Sequence, residues 1–167
     1  MYVLPEPARP SDVDELRRLR NQAASWLLAR GIDQWQVDEV PTADFQLQIA
    51  AGEWHVLRRG QGVVACLRLL WADPVVWGSD TAPGAGYVHG LATDREHGRR
   101  LGRLLLDWAG SEVLRRGRSL LRLDCQEHNL ALRAYYKGLG FQEVGRTDFA
   151  SGSRWQPVVR FERRQSC

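Results

Sequence analysis

The chain has 167 residues, of which 44% are apolar and 26% are charged, and these proportions are typical of one globular domain. They exclude wholesale disorder, and a chain of this length can bury a core without disulfide bonds. The net charge of +3 is too small for a dense nucleic-acid-binding face. All but one of the 23 basic residues are Arg, which favours pockets for phosphate or carboxylate groups. We expect a single domain over residues 1–167.

The cysteines and the N-terminal segment predict a cytoplasmic protein. Cys66, Cys125 and Cys167 are odd in number and far apart, so neither a disulfide framework nor a structural zinc site is expected. The N-terminus lacks the basic start and apolar stretch of a signal peptide, and no window approaches the ~20 apolar residues of a membrane span. The four histidines show no metal-ligand spacing, so we predict no metal.

Antiparallel strands are predicted in the N-terminal half. A helix starts at the capping residue Ser11 and ends at Gly31, and a shorter helix follows Pro41 and ends near Gly52. The β-rich runs on either side of Gly60 indicate a hairpin. The predicted strands and loop, in order, are a strand around Val3, strands Trp54–Arg59 and Val63–Trp71, and a loop over Asp73–Gly84.

Strands and helices alternate in the C-terminal half. The clearest helix begins at Leu101 and ends near Gly117, with one apolar stripe at helical spacing. The other predicted elements are the strands Gly86–Ala92, Ser119–Cys125, Phe141–Arg146 and Val158–Glu162 and the helix Asn129–Lys137. This order predicts an α/β (α+β mixed) fold, whose central mixed and mostly antiparallel sheet has about six to seven strands and helices on both faces.

Two segments carry candidate chemistry. The loop His97–Arg103 joins a strand to a helix N-terminus, where free backbone N–H groups and a glycine favour binding of an anion; solvated arginines at an ordinary helix start are the alternative. Asn129 and Tyr136 are seven residues apart and share one helix face. They suit the lining of a groove, or else a helix N-cap and a buried tyrosine.

Taken together, Tyr87–Ala109 and Leu121–Phe141 resemble the acetyl-coenzyme A (acetyl-CoA) binding motifs of the GNAT superfamily of N-acetyltransferases. The first segment looks like the family's strand, Arg/Gln-x-x-Gly-x-Gly/Ala loop and helix, and the second like its Asn…Tyr-x-x-x-Gly-Phe segment. The resemblance implies that acetyl-CoA is the cosubstrate. It also implies that a primary amine of a small molecule or peptide attacks the thioester directly in a ternary complex.

The resemblance also implies roles for individual residues. Tyr136 matches the general acid that protonates the leaving thiolate, and the backbone of the strand end would pair with the pantetheine arm, with Leu91 N–H as the oxyanion donor. His97 and Arg100 depart from the usual motif residues. The implied cofactor-binding residues are Leu91, Ala92, Thr93, His97, Gly98, Arg99, Arg100, Leu101, Gly102, Arg103, Asn129 and Arg133.

The general base and the acceptor site are less well specified by the sequence. His89 lies two residues before Leu91, so its side chain is expected on the same face and is our candidate base, with Asp124, Glu127 and His128 as alternatives. The family's acceptor pocket forms from the first two helices, their loop and the late strands. The candidate acceptor residues are Trp26, Gln34, Trp35 and Asp124, with Trp71, Trp77 and Trp155 as further aromatic candidates.

Three functional hypotheses remain distinct at this stage. The leading one is the N-acetyltransferase, and a homodimer is possible by resemblance. A coenzyme A-binding module without catalysis predicts loss of the tyrosine, whereas Tyr136 is present. A small nucleic-acid-binding domain would need its arginines on one face, whereas those between Arg99 and Arg118 wrap around the helix. Neither nucleic acid nor a membrane is therefore an expected partner.

Overall fold

The computed structural model describes residues 4–79, 84–97 and 100–166, which form a seven-stranded sheet and five α-helices. The strands lie in the order β1-β2-β3-β4-β5-β7-β6, and only β4 and β5 are parallel. The predicted mixed, mostly antiparallel sheet is therefore confirmed. The strands are β1 (Glu6–Pro7), β2 (Trp54–Arg59), β3 (Gly62–Leu70), β4 (Ala85–Thr93), β5 (Leu120–Gln126), β6 (Gln142–Thr147) and β7 (Val158–Arg164).

The helices largely match the predicted ones. They are α1 (Val13–Leu28), α2 (Thr42–Ala50), α3 (Pro74–Trp77), α4 (Leu101–Arg115) and α5 (Leu130–Gly138). The short α3 lies inside the segment predicted as loop, and that prediction was wrong for Pro74–Trp77. Asp73 caps α3 and proline takes its first position, so a helix start was encoded there. The strand expected around Val3 lies outside the described residues, and the first paired strand is β1.

Helices cover both faces of the sheet because neighbouring strand residues point to opposite sides. Val56 packs in a cluster with residues of α1 and α2, while Leu57 packs in the cluster that contains the apolar stripe of α4. Cys66 and Leu67 divide between the same two clusters. The α4 stripe is buried as its spacing predicts. Within the described chain, no helix has the length and apolar character needed to cross a membrane.

The two halves of the sheet are joined over a short distance. In the described structure β4 pairs with β5 only where Ala85–Tyr87 meets Leu120–Arg122. Beyond that point β4 continues to pair with β3 as far as Thr93, and β5 pairs with β7 along its whole length. Strands β4 and β5 therefore diverge, and residues 88–93 have an edge that does not pair with β5.

A β-bulge interrupts β4 at the divergence. His89 pairs with Arg68 and Ala92 with Cys66, so Gly90 and the residue after it face a single residue of β3. Gly90 has φ +59°, and a Cβ there would lie 2.5 Å from the Trp54 ring. A residue without a side chain is therefore required at this bend.

The bulge also changes which side chains share a face. Leu91 packs against the same cluster as Val88. The side chain of Val88 lies on the opposite face from that of its neighbour His89, whereas Ala92 packs with α1 and α2. The prediction that His89 and Leu91 share a face was therefore wrong. The inserted residue shifts the alternation by one position.

Substituting the bulge glycine tests this geometry. Gly90→Ala should lower the free energy of unfolding by about 2–4 kcal/mol, because it combines a left-handed backbone with a clash against Trp54. Gly31→Ala is the matched control, since Gly31 has φ +73° and an added methyl group there would have nothing within 4 Å. Urea unfolding of both variants measures the difference. Equal losses would contradict a close approach at Gly90.

Candidate active site

A cleft of about 730 Å³ opens where β4 and β5 diverge. Its floor includes His89 and Leu91 of β4 and Asp124 of β5, and Tyr136 of α5 lies along it. The loop between α1 and α2 forms another part of the wall, and the segment 147–158 before β7 contributes aromatic side chains. The diverging strands therefore bring residues from both halves of the sheet to one cavity.

His89 lies between two carboxylates in this cleft. Its Nε2 is 2.8 Å from Oδ2 of Asp73, and its Nδ1 is 3.8 Å from Oδ1 of Asp124. Asp73 is held in place because its other oxygen accepts from the backbone N–H of Val76 at 3.3 Å. A carboxylate only accepts hydrogen bonds, so Nε2 donates to Asp73. When the imidazole is neutral, Nδ1 therefore holds the free lone pair and faces Asp124.

The surroundings shift the pKa values of both groups towards neutrality. Burial tends to lower the pKa of His89, but the hydrogen bond to Asp73 and the charges of Asp124 and Asp73 outweigh it and raise that pKa above 6.5. Burial also raises the pKa of the Asp124 carboxyl to about 6, although the nearby His89 lowers it. Oδ1 of Asp124 is buried and has no hydrogen-bond partner among the described atoms. His89 and Asp124 can therefore exchange a proton with a group that binds between them.

The same three side chains offer ligand atoms within 4.8 Å of one another, which is a spacing a metal ion can use. The two carboxylates, however, face different ring nitrogens. An ion on Nδ1 would gain Asp124 as a ligand and leave Asp73 bonded to Nε2. Two protein ligands are fewer than the three of a typical catalytic zinc site. This geometry favours proton transfer over metal binding.

Tyr136 is the candidate proton donor of the cleft. Its side chain is only 5% exposed, and its ring packs against Phe141 and Phe161. Burial is the main cause that raises the pKa of Tyr136 well above 10, and the neighbouring Cys125 and Asp124 add to it. The hydroxyl therefore keeps its proton across the working pH range of most enzymes.

Asn129 and Gln34 join the two sides of the cleft. Oδ1 of Asn129 accepts from the backbone N–H of Leu132 at 3.1 Å, which makes it the N-cap of α5. Its Nδ2 donates to Oε1 of Gln34 at 3.1 Å, and the backbone N–H of Gln126 lies 3.4 Å from the same oxygen. These contacts favour the N-cap alternative for Asn129. Gln34 lines the cleft and also anchors the loop between α1 and α2 to β5 and α5.

The predicted anion site lies at the start of α4. Gly98 and Arg99 are outside the described residues. Arg100 is exposed and is the N-cap residue of α4. A Cβ at Gly102 would lie 2.8 Å from the Tyr135 hydroxyl and 4.0 Å from a methyl group of Thr93. The end of β4, the first turn of α4 and the side chain of Tyr135 therefore meet.

Other residues of the predicted cofactor site have partners within the protein. Arg103 is exposed and pairs with Asp107, and Leu101 is buried in the core. Nδ1 of His97 lies 3.5 Å from Asp94. Arg133 binds Glu143 at 2.9 Å and the backbone oxygen of Glu127 at 3.0 Å. Arg133 is thus tied to β6 and the end of β5 rather than to the cleft.

The aromatic candidates for the acceptor site separate into two groups. Trp35 and Trp155 line the cleft, as do Gln34 and Asp124. The other three do not line this cleft, and their part in the acceptor site stays a prediction. Trp26 is stacked between Arg30 and Arg95, Trp71 lies under Arg116, and Trp77 is buried beside Tyr87.

The alternative bases on the turn after β5 are also outside the cleft. Glu127 bonds to Arg146 at 2.9 Å, and His128 is exposed. Neither residue lines the cavity. Among the predicted bases, His89 and Asp124 therefore remain, and they face each other.

Comparison with known proteins places this arrangement in a family. Residues 15–141 match the model of the acetyltransferase (GNAT) family. The chain belongs to this family. It is 30% identical over 146 residues to the uncharacterized N-acetyltransferase YesJ of Bacillus subtilis, an alignment that covers 83% of this chain and 81% of that protein. The suspected relationship to N-acetyltransferases is thereby confirmed.

Solved structures show the same fold at lower identity. A GNAT-family acetyltransferase from Listeria monocytogenes has a TM-score of 0.76 at 22% identity, covering 98% of this chain and 94% of that one. PaiA N-acetyltransferase from Thermoplasma acidophilum, in complex with coenzyme A, has a TM-score of 0.74 at 14% identity and coverages of 98% and 99%. YncA from Salmonella typhimurium, a putative acetyltransferase with acetyl-CoA, has a TM-score of 0.73 at 16% identity and coverages of 99% and 95%.

Sequence reasoning missed Asp73 in this GNAT protein. The residue was assigned to a loop, although the pair Asp73-Pro74 is a recognisable helix start. Its hydrogen bond to His89 spans 16 residues and depends on the hairpin geometry of β3 and β4, which no local pattern reports. The sequence therefore contained a local signal for Asp73 as the cap of α3, but no local signal for its hydrogen bond to His89.

Replacing Asp73 tests the source of the His89 pKa shift. In the wild-type protein, NMR titration should place the pKa of His89 above 6.5, and Asp73→Asn should lower it because the charge is lost. Asn still caps α3, so the helix is retained. His55 is the internal control, because burial lowers its pKa and it lies on β2 away from Asp73. An unchanged His89 pKa in the variant would contradict the assignment.

Proposed function

We propose that the protein transfers an acetyl group from acetyl-CoA to a primary amine by direct attack in a ternary complex. The observation that carries the proposal is the pair formed by Nδ1 of His89 and Oδ1 of Asp124, which lie 3.8 Å apart in the cleft between β4 and β5. Family membership supports acetyl transfer. The similar structures of YncA and PaiA contain acetyl-CoA and coenzyme A, respectively.

The unpaired edge of β4 fits the donor. Residues 88–93 do not pair with β5, so the amide groups of a pantetheine arm would add to Leu91, Ala92 and Thr93 as a further strand does. The helix N-terminus that begins α4, with the close approach at Gly102, suits a pyrophosphate. When bound, acetyl-CoA supplies the acetyl thioester.

His89 acts as the general base in this proposal. Asp124 accepts a hydrogen bond from the amine, and Nδ1 of His89 takes the proton that the nitrogen loses as its bond to the acetyl carbon forms. Asp73 keeps the proton of Nε2 in place, so that Nδ1 is the atom that accepts. Imidazolium formed in this way is stabilised by the two carboxylates on either side of the ring.

Tyr136 and the bulge serve the leaving group and the developing charge. The carbon–sulfur bond breaks as the amide forms, and the Tyr136 hydroxyl donates its proton to the departing sulfur. Because its pKa is raised well above 10 by burial, the hydroxyl keeps that proton at neutral pH, where His89 loses its own. The backbone N–H of Leu91, in the β4 bulge, is the proposed donor to the carbonyl oxygen.

A substitution of His89 tests the proposed function. Thiol release from acetyl-CoA in the presence of primary amines should be measurable with the wild-type protein, and His89→Gln should lower kcat/KM about 100-fold or more. Because the base must be unprotonated, the wild-type rate should rise with pH through the raised pKa of His89. His128→Gln, on the exposed turn, is the matched control. The function would be rejected if the protein neither bound acetyl-CoA nor released thiol with any amine.

The role of Tyr136 is tested separately. Tyr136→Phe should lower kcat by a factor of about 100, while the Kd for acetyl-CoA by calorimetry stays within a few-fold of wild type. The substitution removes one hydroxyl and keeps the ring packing against Phe141 and Phe161. An unchanged kcat would remove Tyr136 from proton donation.

A further inference from the structure

We propose that Glu39 is a positioning residue that holds together two walls of the cleft and thereby sets the affinity of the protein for the amine. One wall is the loop between α1 and α2, which contributes Gln34 and Trp35, and the other is the segment 147–158, which contributes Trp155. The role rests on the acetyl transfer proposed above, because it concerns the amine of that reaction.

One oxygen of Glu39 organises the loop and attaches it to α1. Oε2 accepts from Nη2 of Arg20 at 3.0 Å and from the backbone N–H of Gln36 at 3.2 Å. The backbone N–H of Glu39 donates in turn to the carbonyl oxygen of Gln36 at 3.3 Å. The guanidinium of Arg20 also lies over the ring of Trp35, 4.3 Å from its centroid. Glu39 therefore fixes the turn that it shares with Gln36 and holds the cation that covers Trp35.

The other oxygen of Glu39 reaches the second wall. Oε1 lies 3.1 Å from Nη1 of Arg154. Arg154 directly precedes Trp155, whose ring packs edge-on against Phe149 at a centroid distance of 5.2 Å. One carboxylate thus connects α1, the loop and the segment before β7 in the Glu39 bridge, which consists of Arg20, Glu39 and Arg154.

Burial makes the two arms of the Glu39 bridge unequal. The side chains of Glu39 and Arg20 are 13% and 14% exposed, whereas that of Arg154 is 47% exposed. Burial lowers the pKa of Arg20, and the charge of Glu39 acts against this. A buried guanidinium that lost its carboxylate would be strongly unfavourable, so the Arg20 arm belongs to the fold. The Arg154 arm is open to solvent and can be removed without unfolding the protein.

A neighbouring residue shows what is particular to Glu39. Asp38 binds Arg17 at 2.9 Å and Asn21 at 2.8 Å, and both partners belong to α1. These contacts hold the loop against α1. Glu39 has a partner in each direction, so loss of its Arg154 arm leaves the loop attached to α1 and releases a connection between the walls.

Releasing the walls should affect binding of the amine more than the chemical step. His89 is held by Asp73 at 2.8 Å, and the ring of Tyr136 packs against Phe141 and Phe161. These contacts do not involve the Glu39 bridge. A looser acceptor wall therefore raises the KM for the amine, while kcat changes little.

Amide hydrogen exchange tests the bridge without an amine. Arg154→Gln removes the outer arm and leaves Arg20 paired with Glu39. The hydrogen bond of the Gln36 amide depends on the position of the Glu39 carboxylate. We expect this amide to exchange about threefold faster or more in the variant, because its acceptor has lost one of its restraints.

Arg146→Gln is the matched control for this variant. Arg146 is 45% exposed, close to the 47% of Arg154, and it pairs with Glu127 and Asp148, neither of which belongs to the loop. The control loses the same charge and should leave exchange of the Gln36 amide as in wild type. Unchanged exchange in Arg154→Gln, or an equal acceleration in both variants, would overturn the bridge between the walls.

The split between KM and kcat tests the positioning role. The assay is thiol release from acetyl-CoA with the primary amine that gives the wild-type protein its highest kcat/KM. Arg154→Gln should raise the KM for this amine about fivefold, with kcat and the Kd for acetyl-CoA within about twofold of wild type. Arg154→Lys, which keeps the charge, should recover part of the loss. A fall in kcat with unchanged KM, or no change in either, would overturn the role.

A shorter carboxylate separates bridging from direct contact of Arg154 with the amine. Glu39→Asp keeps the charge beside Arg20 but is one methylene, about 1.5 Å, too short to reach both walls. It should raise the KM as Arg154→Gln does. The double variant Glu39→Asp/Arg154→Gln should show no further increase, because both residues act through one contact. Additive increases would assign Arg154 to the amine and overturn the bridge.

Failure of the Glu39 bridge is distinct from failure of the proposed function. The bridge fails if Gln36 exchange and the KM are unchanged in Arg154→Gln while the wild-type protein releases thiol. Acetyl transfer fails if the wild-type protein neither binds acetyl-CoA nor releases thiol with any amine, and that result also overturns the amine-binding role of Glu39.

Discussion

The site depends on one constraint, which is that β4 and β5 remain paired for only three residues. Beyond Tyr87 and Arg122 each strand keeps only the partner on its other edge, β3 for β4 and β7 for β5. The gap exposes the edge of β4, and Tyr136 of α5 lines the cleft that opens there. In this GNAT protein the cavity is therefore a consequence of strand pairing, and the side chains that line it determine its chemistry.

The second determinant is electrostatic. A partly buried imidazole needs hydrogen-bond partners for its ring nitrogens, and the 2.8 Å bond to Asp73 satisfies one of them. The other nitrogen faces Asp124, whose buried oxygen has no described partner. At the bulge, His89 and Leu91 both line the cleft, and Leu91 also packs against the cluster that contains Val88. The backbone of β4 thus positions His89, and the two carboxylates set the charge around its ring.

The sequence predicted the elements well where one physical pattern was dominant. The stripe that begins at Leu101 has helical period and is buried on one face, and Tyr136 follows Asn129 by two helical turns, so both positions were placed correctly. Propensity and spacing act within an element, and this is why they sufficed.

What depended on long-range pairing was not predictable. The prediction that His89 and Leu91 share one face of β4 was wrong, because a bulge depends on pairing with the neighbouring strand and not on the alternating pattern. Trp71 and Trp77 were offered as acceptor residues, yet composition does not distinguish an indole that covers an arginine or fills a core from one that lines a cavity. Asp73, at the start of α3, was missed because its partner His89 is 16 residues away on β4. The single domain and the location in the cytoplasm stay predictions.

Amide hydrogen exchange along β4 tests the central claim most directly. Residues 88–93 have an edge without a β5 partner, so the amides on that edge should exchange rapidly in the free protein and become protected when coenzyme A saturates the protein. Amides that pair with β3 serve as the internal reference. Protection confined to the β4 edge and the start of α4 is the result we predict. Unchanged exchange at residues 88–93 with coenzyme A bound would contradict the account.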